Sequence, residues 1–179
     1  MHLSEKTIDK KVVFTGRIVT VRTDKAELED GTVADRELVI HSGGVCVVPL
    51  TREREVIMVR QFRYAFGEPL LEIPAGKLEP GEQHREAGLR ELKEETGADC
   101  ESFEYLGVCY PSVAYLTEKI HMYLARDLNF GEAAPDSGEF LDVVRIPLDE
   151  AVKMVMENKI PDGKTQVALL KTKFILDNE

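Results

Sequence analysis

GKLEPGEQHREAGLRELKEETGA, residues 76–98, is the densest chemical signal in the chain. Within it residues 83–96 hold no proline and only one glycine, Gly88, and are rich in Glu, Leu, Arg and Lys. That composition predicts a helix, with Gly97 as the C′ residue that ends it. Taking Ala87 as zero on an ideal helix, Glu91 falls at roughly 40°, Glu94 at roughly 340° and Glu95 at roughly 80°. Three carboxylates therefore share one face. Leu89 and Leu92 point roughly 200° and 140° from the same origin, the side expected to bury into a core.

Like charges at i, i+3 and i+4 repel, so this face calls for a counter-charge. Hard oxygen donors without paired His or Cys favour Mg²⁺ or Mn²⁺, which keep waters and share a substrate phosphate. The plainer alternative is a solvated acidic face paired with Arg85, Arg90 and Lys93, and helical spacing alone leaves both open.

Working outward, residues 12–23 (VVFTGRIVTVRT) and 33–41 (VADRELVIH) are β-branched and partly alternating, with the turn pair Asp30-Gly31 between them. They predict a strand pair. Gly43-Gly44 punctuates the chain, and a boundary is placed near residue 42. VCVVPL (45–50) is apolar on both faces and suits a buried strand, while VIMVRQFR (56–63) is expected to return antiparallel to it. Further strands are expected at 70–74, 103–110, 119–125 and 140–147. Asp149 is expected to cap a helix over 150–158, and a closing helix over 165–174 would carry Val167, Leu170 and Phe174 on one stripe. The order is strands, helix, strands, two helices. Without strict βαβ alternation, a mixed sheet sandwiched by helices fits better than a doubly wound fold.

The 179 residues suit one domain or a domain with an appendage, and 43% hydrophobic with 31% charged is globular composition. A formal charge of −10 repels nucleic acid and phosphates, so an anionic ligand would need a metal. Cys46, Cys100 and Cys109 are too few and scattered for a disulfide framework or zinc site. No signal peptide or membrane-spanning run is recognisable, so a soluble cytoplasmic protein is expected.

The spacing of 76–98 resembles the Nudix box: Gly76, five residues, Glu82, seven residues, Arg90-Glu91, aliphatic Leu92, any residue, Glu94-Glu95, any residue, Gly97, with Ala98 as a small last position. Seven identities at fixed spacing arise by chance at about 10⁻⁸ per start point. The resemblance implies an α/β/α sandwich with a mixed sheet, an α/β (α+β) Nudix fold. It also implies metal-dependent hydrolysis of a nucleoside diphosphate linked to another moiety. Carried over, Glu91 and Glu95 are the principal metal ligands, Glu82 and Glu94 further metal or water-network carboxylates, and the Ala75 carbonyl a neutral ligand. Glu91, Glu94 and Arg90 count as catalytic, Arg90 by steering the glutamates through charge-assisted hydrogen bonds or as a plain helix salt bridge.

Arg60-Gln61-Phe62-Arg63-Tyr64 and Leu71-Glu72-Ile73-Pro74-Ala75-Gly76-Lys77 look like the run found in ADP-ribose pyrophosphatases. By that resemblance residues 1–42 form an N-terminal β subdomain used in dimerisation and at the substrate site, and 43–179 the Nudix domain. A homodimer with a nucleotide sugar substrate is implied, with no nucleic-acid or membrane partner. Arg63 would grip a phosphate or ribose, Glu72 would pair it or a ligand hydroxyl, and Glu118 would touch substrate. Position 113 is Val where that subfamily carries Pro, so GDP-mannose or another nucleotide sugar stays open. Glu139, on a loop rich in Gly and Pro, matches the general base, with Asp136 in reserve. A non-catalytic nucleotide-sugar sensor is the alternative from another class. A nucleoside triphosphatase fits the N-terminal segment less well, and His84 and His121 are given no catalytic role.

Overall fold

A computed structural model describes residues 3–134, 138 and 140–179. The chain divides into two compact units, Met1–Gly43 with Tyr110–Lys119, and Gly44–Cys109 with Ile120–Glu179.

The first unit is a three-stranded antiparallel sheet of β1 (Lys6–Thr15), β2 (Thr20–Glu27) and β3 (Val33–Ile40), in that order. The expected strand pair is thus a three-stranded sheet. The run 12–23 is broken by a turn in which Gly16 N–H donates to the Val19 carbonyl at 2.9 Å. The missed strand begins at polar Lys6, and β1 is exposed along its whole length, so burial imposes no alternation there to read. The Asp30-Gly31 turn stands as expected: Gly31 has φ 81°, and the Asp30 carboxylate accepts from Thr32 N–H at 3.0 Å. Residues 110–119 dock on β3, with Val39 N–H donating to Tyr115 at 2.8 Å and Thr117 N–H to Val39 at 3.0 Å.

In the second unit, β4 (Gly44–Pro49), β7 (Ala75–Lys77), β8 (Ala98–Cys109) and β9 (Ile120–Phe130) form a sheet in the order β7-β4-β9-β8. The β4–β9 pair is parallel and its neighbours antiparallel, so the sheet is mixed. β5 (Glu55–Arg63), β6 (Glu68–Glu72) and β10 (Leu141–Pro147) form an antiparallel sheet ordered β10-β5-β6. The expected β4–β5 hairpin is therefore corrected. The two strands share a single bridge, Leu50 to Val56, and then enter different sheets.

Alternation along β4 explains the layering. Val45 and Val47 pack with Ala87, Leu92, Tyr123 and Ala125 under helix α1 (His84–Thr96). Cys46, Val48 and Leu50 pack on the other face with Met122, Leu124, Leu148, Ala168 and Leu169, which come from β9, α2 (Leu148–Met156) and α3 (Gly163–Leu176). A strand covered on both faces reads as a continuous apolar run, as VCVVPL does. Burial pushes the Cys46 thiol up to about 12, and none of the three cysteines is in a disulfide.

Two helix expectations change. Asp149 lies in the first turn of α2, whose start is set by buried Leu148, its N–H held by the Arg54 carbonyl at 2.9 Å, with no side-chain cap. On α3 the buried residues are Thr165, Ala168, Leu169 and Thr172, while Val167, Leu170 and Phe174 face outward at 37%, 40% and 71% exposure. Small residues and hydroxyls let the helix lie close to the sheet, which outranks the larger apolar stripe. No helix among the described residues is long and apolar enough to cross a membrane.

Candidate active site

Short strand β7 leads through a loop that turns at Gly81 (φ 83°) into α1. Helix α1 ends at Gly97, whose φ of 70° is left-handed and whose N–H closes on the Lys93 carbonyl at 2.8 Å. A Cβ at Gly97 would also meet the Gly131 carbonyl oxygen at 2.6 Å, so two constraints select glycine.

The carboxylate face differs from the simple division into an acidic side and a core side. Ala87, Gly88, Glu91, Leu92, Glu95 and Thr96 are all buried, a continuous arc of roughly 180° on the helix. Glu91 and Glu95 therefore lie within the inward face beside Leu92, and Leu89 is only half-buried. Their position follows from β7. Ala75 N–H donates to Glu95 Oε2 at 3.3 Å, and a Cβ at Gly76 would overlap the Glu91 carboxylate. Glycine at 76 makes room for that side chain.

Arg90 gathers the rest. Its Nε and Nη2 donate to the two Glu82 oxygens at 2.9 and 3.1 Å, and Nη1 donates to Glu91 Oε1 at 2.8 Å and Glu94 Oε2 at 2.9 Å. One guanidinium thus binds three of the four carboxylates, chiefly through the Glu82 fork, which raises its own pKa and lowers that of Glu82. Burying the Glu91 and Glu95 carboxylates costs free energy, and the Arg90 bond to Glu91 offsets part of it. All-oxygen donors, two of them buried and one given space by a glycine, suit a hard divalent cation, although no group of three or more His, Cys, Asp or Glu is gathered as a metal cage among the described residues.

Arg63 and Glu72, on adjacent strands β5 and β6, form a two-pronged pair: Nε to Oε1 at 2.5 Å and Nη2 to Oε2 at 2.7 Å. Burial alone would raise the Glu72 pKa, but hydrogen bonds and charge from Arg63 and Lys164 outweigh it and hold the carboxyl below the usual range. Glu118 belongs to the first unit, where its carboxylate lies 3.4 Å from His41 Nδ1, and Val113 stands 85% exposed in the same segment. Glu139 and the reserve Asp136 lie outside the described residues. His84 and His121 stack at 3.8 Å between centroids, with Nδ1 of each in contact with a tyrosine hydroxyl, Tyr123 and Tyr105 respectively. Sequence reading passed over Lys164, which joins Glu72 at 2.5 Å. Its one signal was the run Asp162-Gly163-Lys164-Thr165, a helix start carrying an extra cation.

A mixed sheet between helices, carrying a glutamate-rich helix tied by one arginine, defines a class, and comparison with known proteins agrees with it. The NUDIX domain matches residues 41–168, and the nucleoside diphosphate sugar hydrolase N-terminal domain matches residues 5–39. The chain belongs to the Nudix hydrolase family. With its N-terminal match it falls among the nucleoside diphosphate sugar hydrolases. The methanol dehydrogenase activator of Bacillus methanolicus is 42% identical over 167 residues, 92% of this chain and 90% of that protein. The ADP-ribose pyrophosphatase of Bacillus subtilis (strain 168) is 38% identical over 169 residues, 93% of this chain and 91% of that protein. A crystal structure of an ADP compounds hydrolase superposes with a TM-score of 0.86 over 98% of this chain and 95% of its own, at 23% identity, a likeness of fold alone.

Proposed function

We propose that the chain hydrolyses the diphosphate of ADP-ribose, releasing AMP and ribose 5-phosphate. The observation that carries this is the placement of Glu91 and Glu95 on the buried arc of α1 against Ala75 and Gly76, with Arg90 binding Glu82, Glu91 and Glu94. A solvated acidic face would not bury its carboxylates. In this reading Glu91 and Glu95 hold the cation, with Glu82, Glu94 and the Ala75 carbonyl as further donors. When bound, Mg²⁺ or Mn²⁺ neutralises the diphosphate and lowers the pKa of a water. Arg90 orients the carboxylates, Arg63 grips a phosphate or ribose oxygen, and Glu118 touches the substrate. Glu139 accepts the proton of the attacking water, an assignment that rests on its place in the sequence.

The choice of ADP-ribose is supported by the RQFRY and LEIPAGK runs and by the Bacillus subtilis relative. Val113 keeps GDP-mannose as the rival substrate. A non-catalytic role has one specific support, the relative named as an activator of methanol dehydrogenase. A homodimer belongs to the proposal. Its support is the apolar surface of the first unit, where Ile8, Val12, Val13 and Phe14 of β1 are all about half exposed or more.

A panel of ADP-ribose, GDP-mannose, UDP-glucose and ATP incubated with Mg²⁺, with nucleoside monophosphate and sugar phosphate measured, separates these readings. AMP and ribose 5-phosphate from ADP-ribose at the highest kcat/KM is the expected result. Faster release of GMP from GDP-mannose reassigns the substrate, and no turnover of any member favours the non-catalytic role.

A further inference from the structure

Helix α3 begins in a knot of polar side chains. Asp162 Oδ2 accepts from the Thr165 backbone N–H at 3.1 Å, the Thr165 hydroxyl at 2.5 Å and Lys164 Nζ at 2.9 Å. The Thr165 oxygen in turn accepts from Ile73 N–H at 3.0 Å, so the start of the helix grips the residue that follows β6. Asp162 is the N-cap and its carboxylate takes the Thr165 N–H of the first turn. Lys164 does something else. Its ammonium reaches across to Glu72 Oε2 at 2.5 Å and so bridges two carboxylates.

Glu72 then passes the constraint on, because its two oxygens also take the fork from Arg63. Side-chain exposure falls inward from 38% at Arg63 to 12% at Lys164 and 3% at Glu72. Burial opposes the charge on Lys164, but Asp162 and Glu72 outweigh it and raise its pKa above the usual lysine value. Glu72 stands just before Ile73-Pro74-Ala75, and the Ala75 N–H donates to Glu95 Oε2 at 3.3 Å, so the pair sits on the segment that meets the glutamate helix; Glu72 first, and Asp162 and Glu95 with it, raise the Arg63 pKa. Among the described residues Arg63 Nη1 has no hydrogen-bond partner, while Nε and Nη2 are committed to Glu72.

With Lys164 present, two cations serve two carboxylates and Arg63 is left to a single geometry. Without it, Arg63 is the one cation of this group for two carboxylates, buried Glu72 and half-buried Asp162, and attraction to both draws the guanidinium inward. We infer that Lys164 is a positioning residue: through the Glu72 carboxylate it holds the Arg63 guanidinium at the edge of the site, in the orientation that meets the anionic part of a nucleoside diphosphate sugar. This inference rests on the hydrolase reading above and names the residue that sets one of its substrate contacts.

The test compares wild type, Lys164→Met and Lys164→Arg in three measurements: thermal midpoint, KM and kcat for ADP-ribose with Mg²⁺, and the Arg63 Nε–Hε resonance, assigned through Arg63→Lys. Folded Lys164→Met should displace that resonance and raise KM about 10-fold or more, the scale of one charge-assisted hydrogen bond to substrate, with kcat changed less than about 3-fold. Lys164→Arg, which keeps the cation, should recover most of the KM. Lys164→Gln replaces the methionine variant where that one fails to fold. A lowered midpoint with unmoved resonance and wild-type KM overturns the inference and leaves Lys164 a purely structural ion pair. A displaced resonance in a protein whose wild type turns over no nucleotide sugar supports the clamp and overturns the hydrolase reading instead.

Discussion

Gly76 and Glu91 show how single residues make this site. The glycine has no side chain because the Glu91 carboxylate occupies the space where a Cβ would stand. Gly76→Ala is therefore expected to displace Glu91 and lower kcat by roughly 10²-fold or more, the scale of losing a preorganised electrostatic group, while circular dichroism stays native. Wild-type turnover in that variant would show that Glu91 has latitude the packing denies. The spacing of the box was legible in the sequence because identities at fixed intervals do not depend on packing. Burial of Glu91 and Glu95 was not, because hydrophobic-face logic sends carboxylates to solvent and only the β7 backbone beside them explains the inward turn. Lys164 escaped for a related reason: its partner Glu72 is 92 residues earlier, and no local pattern connects them.

At the scale of elements, most strands and all three helices were readable from apolar runs and stop signals, with Gly97 marking the end of α1. What local patterning could not supply was which strand neighbours which, and which stripe of α3 packs. β4 and β5 follow one another yet enter different sheets, a choice made by the parallel partner β9, which lies far along the chain. On α3 the packing stripe is Thr165, Ala168, Leu169 and Thr172. Leu169→Ala should cost about 2–5 kcal/mol and Leu170→Ala within about 0.5 kcal/mol, read by urea unfolding. Equal losses, or a larger one at Leu170, would mean that the outward stripe packs against something in solution.

For the whole molecule, the nucleoside diphosphate sugar hydrolase match over residues 5–39 and the NUDIX match over 41–168 account for nearly all the chain between them. A lone three-stranded sheet whose first strand is exposed on both faces buries little apolar surface for its own stability. Sedimentation equilibrium should accordingly give a dimer, and removal of residues 1–42 should give a monomer with little or no turnover; a fully active truncated monomer would contradict that assembly. In the proposed function the buried glutamates of α1 hold the cation that hydrolysis needs. That role is tested most directly by ADP-ribose turnover of wild type, Glu91→Gln and Glu95→Gln across a Mg²⁺ titration, beside an EDTA control. Wild type should turn over ADP-ribose in a way that EDTA abolishes and Mg²⁺ restores, with kcat lowered at least roughly 10²-fold in each folded variant. Wild-type kcat in either variant, or turnover that survives EDTA, would contradict that role.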